Sequence, residues 1–352
     1  MDGNRNPQIL RTDYILMKIS APLIVKNEAH GIQECLAAVR MVADELIVLD
    51  TGSTDGTPEL CGKYADRVLY SRRWTKDTKA DDFDFAEARN EVLAQCHGDW
   101  ILSVDADEVV ECDRLAFRSW LDGFAGSCAY VPMRFANGSK QVARLPRMFL
   151  RDGASWVGRY HDVPSPWDHG TATVGESLLM LVNRGGNDKS KLMRNLSLLK
   201  RQQIERGRID ATTFQIADTY RALGVQCYPE AIGYFEMCLS SMGRNKADAR
   251  PYLLFALADC YARVGCIAKA LDLATSLMRE YPTYQRGFLV AAWCYERLKE
   301  FDIAICFYER SIGIADPMPL HPMFDEPVDV DAVRNQIMCC DAKLREVLKW
   351  ES

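Results

Sequence analysis

Gly98-Asp99-Trp100-Ile101-Leu102-Ser103-Val104-Asp105-Ala106-Asp107 is the stretch that decides how this chain is read. Residues 100–104 form a short, mostly apolar run of the kind that fills a buried strand. The strand delivers two carboxylates, two residues apart, to its C-terminal end. Open α/β sheets bind their ligands at that edge. Two oxygen-rich side chains there suit a hard divalent cation, and such a cation suits a diphosphate. The alternative is a solvated strand-to-loop turn. Asp82-Phe83-Asp84 and Asp329-Val330-Asp331 repeat the spacing, but neither follows a buried-looking strand.

Working outward, residues 15–25 read as a first strand despite Pro22. Residues 33–42 have helical spacing, with Cys35, Leu36, Val39 and Val42 on one face. Leu46-Ile47-Val48-Leu49 is a continuous apolar run, as in a buried parallel strand. Thr57-Pro58-Glu59 opens a helix with proline in its first turn. Residues 67–70 form a third short strand and residues 85–96 a helix. This alternation predicts a mostly parallel sheet covered on both faces. After Asp107 the pattern loosens. Strands are expected at 130–135 and 147–150, and residues 152–188, with Trp156, His161, Trp167 and Gly185-Gly186, read as irregular active-site structure.

A length of 352 residues suits two domains, here 1–195 and 196–352. The net charge of -6 argues against a general nucleic-acid binder. The charge is uneven, however: residues 134–201 carry 12 Lys/Arg against 5 Asp/Glu. That excess suits an anionic ligand or acceptor, or else a solvated basic face. None of the 13 cysteines forms a CxxC pair, and Cys238, Cys260, Cys294 and Cys306 sit in periodic apolar segments. They read as small buried hydrophobes in a reducing compartment. Residues 1–7 are polar, with no signal-peptide core. No apolar run approaches the ~20 residues that span a bilayer. A cytoplasmic protein without a membrane span is expected.

From about Lys191 the chain becomes helical, and residues 250–317 carry an internal repeat of 34 residues. Ala258, Cys260, Tyr261, Arg263 and Ala270 recur as Ala292, Cys294, Tyr295, Arg297 and Ala304. That is the tetratricopeptide period of helix-turn-helix units. Tyr220 and Ala231 begin an earlier copy, irregular because 11 residues separate them where the later units have 9. A stack of this kind presents a concave surface for an extended partner, which would be the acceptor. Dimerisation or plain stabilisation of the first domain are the other roles.

Three further motifs bear on chemistry. In Asp50-Thr51-Gly52-Ser53-Thr54-Asp55, a carboxylate can accept from the imide of a uracil or from a ribose hydroxyl. The backbone N–H groups of Gly52 and Ser53 can approach a ligand closely. The same residues also make an ordinary turn and helix cap. Arg89 is placed to pair with a diphosphate or to lock an acidic loop residue, unless it is a surface arginine. In His161-Asp162 the imidazole is a candidate third metal ligand and Asp162 a candidate general base on the acceptor. A hydrogen-bonded loop pair is the alternative.

Taken together, the pattern resembles glycosyltransferase family 2, whose nucleotide-sugar-binding fold is called GT-A. The matching segments are Ile24-Val25-Lys26-Asn27-Glu28, the Cys35-Leu36 step, residues 47–57, Phe85-Ala86-Glu87-Ala88-Arg89-Asn90 and residues 98–108. Arg144-Leu145-Pro146-Arg147-Met148-Phe149, Tyr160-His161-Asp162 and Lys191-Leu192-Met193-Arg194-Asn195 look like later motifs of a subgroup with C-terminal tetratricopeptide-like helices. The resemblance implies a GT-A-type α/β domain followed by an all-α domain. It also implies transfer of a sugar from a nucleoside diphosphate donor, a UDP-sugar favoured, usually with inversion. Asn27, Glu28, Asp50, Gly52, Ser53, Asp55, Arg89, Asp105 and Arg147 would meet the donor. Asp105, Asp107 and His161 would hold Mn²⁺ or Mg²⁺, and Asp162 would deprotonate the acceptor. The acceptor is open between a glycan or lipopolysaccharide core, a peptide and hydroxymethylated DNA, and the helical domain is a candidate homodimer contact. The subgroup usually has His-Glu where this chain has His161-Asp162. It often has a His where this chain has Asn183-Arg184-Gly185-Gly186, so Arg184 takes that contact or the contact is absent. Two other classes compete. A nucleotidyltransferase would need a Gly-rich loop after the first strand, which is missing. A tetratricopeptide scaffold would carry an inert sheet domain.

Overall fold

Four apolar runs make the parallel half of one sheet: β1 (Ile19–Val25), β2 (Glu45–Asp50), β3 (Arg67–Tyr70) and β4 (Trp100–Leu102). They are connected by α1 (Ile32–Arg40), α2 (Thr57–Cys61) and α3 (Phe85–Leu93). The computed structural model describes residues 17–136, 142–159, 163–165, 171–185, 189–207, 210–241, 249–315 and 328–350. The strands lie in the order β3-β2-β1-β4, each parallel to its neighbour. Side chains alternate between the faces of a strand, so one run feeds two cores. Leu46, Val48 and Leu102 pack with Cys35, Leu36 and Val39 of α1. Ile47, Leu49 and Ile101 pack with Ala86, Ala88 and Val92 of α3.

Pro22 sits in a central strand for a reason visible in the ladder. Ile19 and Val25 turn their carbonyls to β2, accepting from Asp44 and Thr51, while the Lys18 carbonyl accepts from Trp100 of β4. By alternation Pro22 faces β4, and it has no N–H to offer. The register with β4 ends at Ser20↔Ile101. The strands part there, and a small cavity lined by Pro22, Ile24, Arg89, Ser103, Asp105 and Trp156 opens at the divergence.

Beyond β4 the chain forms β5 (Glu108–Cys112), α4 (Arg114–Asp122), β6 (Cys128–Phe135), β7 (Val142–Leu150), β8 (Ser155–Val157), β9 (Val163–Ser165), β10 (Thr171–Thr173) and β11 (Leu179–Asn183). The sheet continues from β4 as β7-β6-β11-β5, with β10 beside β6. Five of its eight pairings are parallel, and β4·β7, β6·β7 and β5·β11 are antiparallel. The described parts of 152–188 are therefore less irregular than their composition suggests. β8 and β9 pair as a small antiparallel sheet, and β11 is a buried strand made by the run Leu179-Met180-Leu181.

The helical half comprises α5 (Lys189–Arg206), α6 (Asp210–Leu223), α7 (Tyr228–Ser241), α8 (Arg250–Arg263), α9 (Ile267–Glu280), α10 (Gln285–Arg297), α11 (Phe301–Ile312) and α12 (Val330–Trp350). The repeat predicts its layers. Ala258, Cys260, Ala270, Ala292, Cys294 and Ala304 have no exposed surface, because small residues let paired helices approach. Gly265 and Lys299, 34 residues apart, both turn with positive φ (86° and 65°) where the first helix of each pair ends. Arg263 and Arg297 each lie 5.3 Å from the Trp293 ring, so the recurring arginines meet on one indole. The extra turn Val225–Cys227 between α6 and α7 accounts for the irregular first copy. The border drawn after residue 195 falls inside α5, which is continuous from Lys189 to Arg206. Leu196 and Leu199 of α5 already pack with Ile216 and Leu223 of α6. α5 ends at Gly207, whose φ is 76°. No helix among the described residues is long and apolar enough to cross a membrane.

Candidate active site

Three polar loops meet at the carboxyl edge of β1, β2 and β4. The first two are stitched together by side chains. Asn27, at a φ of 56°, donates its backbone N–H to the Ser53 hydroxyl at 3.0 Å, and its side-chain carbonyl accepts from Thr54 N at 2.8 Å. Asp55 accepts from Ala29 N at 3.1 Å and from both the backbone N–H and the hydroxyl of Thr57. The Thr57 hydroxyl oxygen in turn accepts from Glu28 N at 2.8 Å. The Thr57 hydroxyl, followed by these backbone N–H groups, holds the Asp55 carboxyl below the usual carboxylate range despite some desolvation. Asp50 is buried and accepts from Gly52 N at 3.0 Å and Ser53 N at 3.1 Å. Gly52 has a φ of 97°, and a Cβ there would stand 2.2 Å from the backbone of Thr75 and Lys76. Only glycine fits that approach. The loop thus brings together Asn27, Glu28, Asp50, Gly52, Ser53 and Asp55, with both acids engaged by the protein's own backbone.

The third loop begins with Asp105, whose two oxygens meet two arginines. Arg89 of α3 donates to Oδ1 and Arg147 of β7 to Oδ2, each at 2.6 Å. Arg147 also donates to Oε1 of Glu108 at 3.0 Å, and Oε2 of Glu108 accepts from Asp105 N at 2.9 Å. Burial pushes the Asp105 carboxyl up, but Arg147 and Arg89 overcome it and hold the group well below the usual range. Glu108, with 1% of its surface exposed, goes the other way: burial raises it to about 7, with Arg147 opposing. Arg89 lies over the Trp156 ring at 4.8 Å. Asn90 fixes the backbone of that tryptophan twice, donating to its carbonyl at 2.9 Å and accepting from its N–H at 2.7 Å. Sequence reasoning singled out Arg89 and Arg147. It missed Glu108 and Trp156 as their partners, because residues far apart in the chain carry no local signal of contact.

Asp107 is held differently. Lys191 of α5 donates to its Oδ2 at 3.1 Å, and its backbone carbonyl accepts from Arg184 N at 2.9 Å. Gly185 packs against the carboxylate so closely that a Cβ would stand 1.9 Å from Oδ2. The Arg184 guanidinium turns away to Glu34 of α1 at 2.7 Å. It is the Arg184 backbone, not its side chain, that meets the Asp-x-Asp loop. The half-buried Glu28 faces the same region: desolvation raises its carboxyl first and Asp107 second, while His30 and Lys191 lower it. Tyr160, His161 and Asp162 lie outside the described residues. The donor set bears on a cation unequally. Both Asp105 oxygens face arginines, whereas Asp107 has Lys191 on Oδ2; no group of three His, Cys, Asp or Glu side chains among the described residues could hold a metal by itself.

Residues 20–117 match the glycosyl transferase family 2 model. Among curated proteins, the chain is 39% identical over 176 residues to a TPR repeat-containing protein of Synechococcus elongatus, covering 49% of this chain and 39% of that one. It is 27% identical over 191 residues to the SPbeta prophage-derived glycosyltransferase SunS of Bacillus subtilis, covering 51% and 44%. The chain thus spans about two fifths of the length of these relatives. Among solved structures, residues 1–349 of S. aureus TarS align over 84% of this chain and 92% of that one, at 15% identity and a TM-score of 0.39. The match to the glycosyl transferase family 2 model thus lies within the sheet half of the chain, and the 34-residue helical repeat follows it.

Proposed function

We propose that the chain transfers a sugar from a nucleoside diphosphate donor, a UDP-sugar in the first instance, to a nucleophilic acceptor, with inversion. The observation that carries this is the convergence of the 27–28, 50–55 and 105–107 loops at one sheet edge, inside a family 2 domain. Asp107 would hold a divalent Mn²⁺ or Mg²⁺ ion there. Such an ion neutralises charge developing on the departing diphosphate. Arg89 and Arg147 hold Asp105 and with it the backbone of the metal loop, Asp105 N being tied to Glu108. Asp50 keeps Gly52 and Ser53, and Asp55 keeps Ala29 and Thr57, in a fixed arrangement for the nucleoside. Asp162 is the base on the acceptor, with His161 as a further cation ligand. The acceptor is a glycan, a peptide or a modified DNA, and one face of the helical stack holds it or pairs two copies of the chain. The buried free thiols support a reducing, cytoplasmic setting.

Calorimetric titration with UDP, GDP and TDP, each with and without Mn²⁺, tests the reading. Mn²⁺-dependent binding of one nucleotide, lost in Asp107→Ala, is the expected result. Absence of binding to all three overturns it in favour of a scaffold. Once an acceptor is found, Asp162→Asn should lower transfer by about 10²–10⁴-fold while donor binding persists.

A further inference from the structure

Lys191 is the one described residue of the helical half whose ammonium reaches the Asp-x-Asp loop. It stands on the first turn of α5, and its Nζ lies 3.1 Å from Oδ2 of Asp107. The pair is wedged against the α-carbon of Gly185: a Cβ there would lie 1.9 Å from Asp107 Oδ2 and 3.1 Å from Lys191 Nζ. A larger residue there would force the carboxylate to shift. Asp105 offers no second place for a cation, since Arg89 and Arg147 occupy both its oxygens at 2.6 Å. A positive charge from α5 therefore already stands on one oxygen of the carboxylate that a hard cation would need at the end of this loop.

We propose that Lys191 is a built-in competitor for the divalent cation: its ammonium and the metal share Asp107, so loading the site works against the Lys191–Asp107 pair. This inference rests on the reading of Asp107 as the cation ligand. Two positive charges brought to one carboxylate repel, and a partly buried setting screens them less than bulk water does. Apparent affinity is the intrinsic affinity multiplied by the fraction of molecules in which the pair is open. The lysine also belongs to the helix that begins the tetratricopeptide stack, where Leu196 and Leu199 join Ile216 and Leu223. Opening the pair releases the first turn of α5 from the metal loop, so cation loading and the junction with the stack are linked.

The probe is Mn²⁺ alone, titrated into the full chain without nucleotide and followed by the electron paramagnetic resonance of the free ion. Lys191→Met removes the charge and keeps a long, helix-favouring side chain, and Lys191→Gln is a second neutral variant. Both should bind Mn²⁺ about tenfold more tightly than the parent, and Lys191→Arg should stay near it. Asp107→Ala in the Lys191→Met background should abolish the gain. Thermal unfolding verifies that each variant is folded. Unchanged or weaker Mn²⁺ binding in folded Lys191→Met and Lys191→Gln overturns the inference. A UDP titration with Mn²⁺ on the parent separates the two ideas. Binding there with no gain in the variants sinks the competition alone, whereas no binding anywhere sinks the cation reading of Asp107 together with it.

Discussion

The carboxyl edge of the sheet and the helical stack are built on opposite principles. At the edge, contacts join residues far apart in sequence, and most are polar: Arg147 reaches Asp105 and Glu108, Lys191 reaches Asp107, and Asn90 holds Trp156. In the stack, contacts join a helix to the next one, and most are apolar and small: Ala258 and Ala292, Cys260 and Cys294, Ala270 and Ala304. The edge is a single interlocking network whose members fail together. The stack is close to a sum of similar layers, in which damage stays local. A half that must hold charge in place uses long-range pairing. A half that must only extend a surface uses repetition.

The difference is exposed most strongly by Arg147→Ala. It leaves Glu108 and part of Asp105 buried without their cation, and breaking such a pair costs about 3–5 kcal/mol. Five of the seven tryptophans precede α5 in the sequence, and only Trp293 and Trp350 follow it. The loss should therefore appear as an earlier denaturant transition in tryptophan fluorescence. Far-UV circular dichroism, dominated by the helices, should move less. Coincident shifts in both probes would mean that the halves unfold as one unit.

Acid comes next. Asp105 has a folded value below its unfolded one, so its contribution is complete above ~pH 4 and is lost as pH falls through the folded value; for a salt-bridged aspartate this is about 2 kcal/mol. Glu108 runs the other way: its contribution is present below ~pH 4.3 and is lost as pH rises toward about 7. Asp105→Asn should flatten the acid limb of a stability–pH profile. An unchanged limb would deny the arginine clamp its role.

Overpacking the stack should do less. Ala292→Leu forces extra methylenes into a layer with no exposed surface, at about 1–3 kcal/mol, read in circular dichroism with donor affinity unmoved. A change in donor affinity would contradict the local character of the stack. The smallest effect is a gain. Lys299 takes the left-handed turn that glycine takes one repeat earlier, so Lys299→Gly should stabilise by about 0.5–1 kcal/mol, measured by denaturant midpoint.

The same contrast sets what the chain discloses before it is folded. The stack was legible because its layers recur: five positions matched at one period, and those that are alanine or cysteine proved fully buried. The parallel half was legible because an apolar run, a polar loop and a helix follow one another in order. β5 escaped notice because its five residues, Glu108-Val109-Val110-Glu111-Cys112, mix charge with a short apolar step. β11 was passed over because it lies in a segment rich in glycine and proline, although Leu179-Met180-Leu181-Val182 is a continuous apolar run. The polar pairs could not be read at all. Lys191 and Asp107 are 84 residues apart, and no spacing rule links an ammonium on one element to a carboxylate on another. Sequence reasoning reached the site residues one by one, and folding determined which of them share a proton, a charge or a ring.

α5 is one uninterrupted helix with Lys191 at one end of its buried face and Leu199 farther along, and a helix turns by about 100° for every residue. A single insertion between them would swing one set of contacts a quarter-turn away from its partners. The two halves therefore have a fixed phase, like two gears keyed to one shaft. An engineer who wished to fit a different stack to this sheet should not cut after residue 195, where a domain map would place the seam. The splice belongs at Gly207, where the helix has ended, φ has turned positive and the site of a Cβ faces open space. There the shaft can be uncoupled without turning the key.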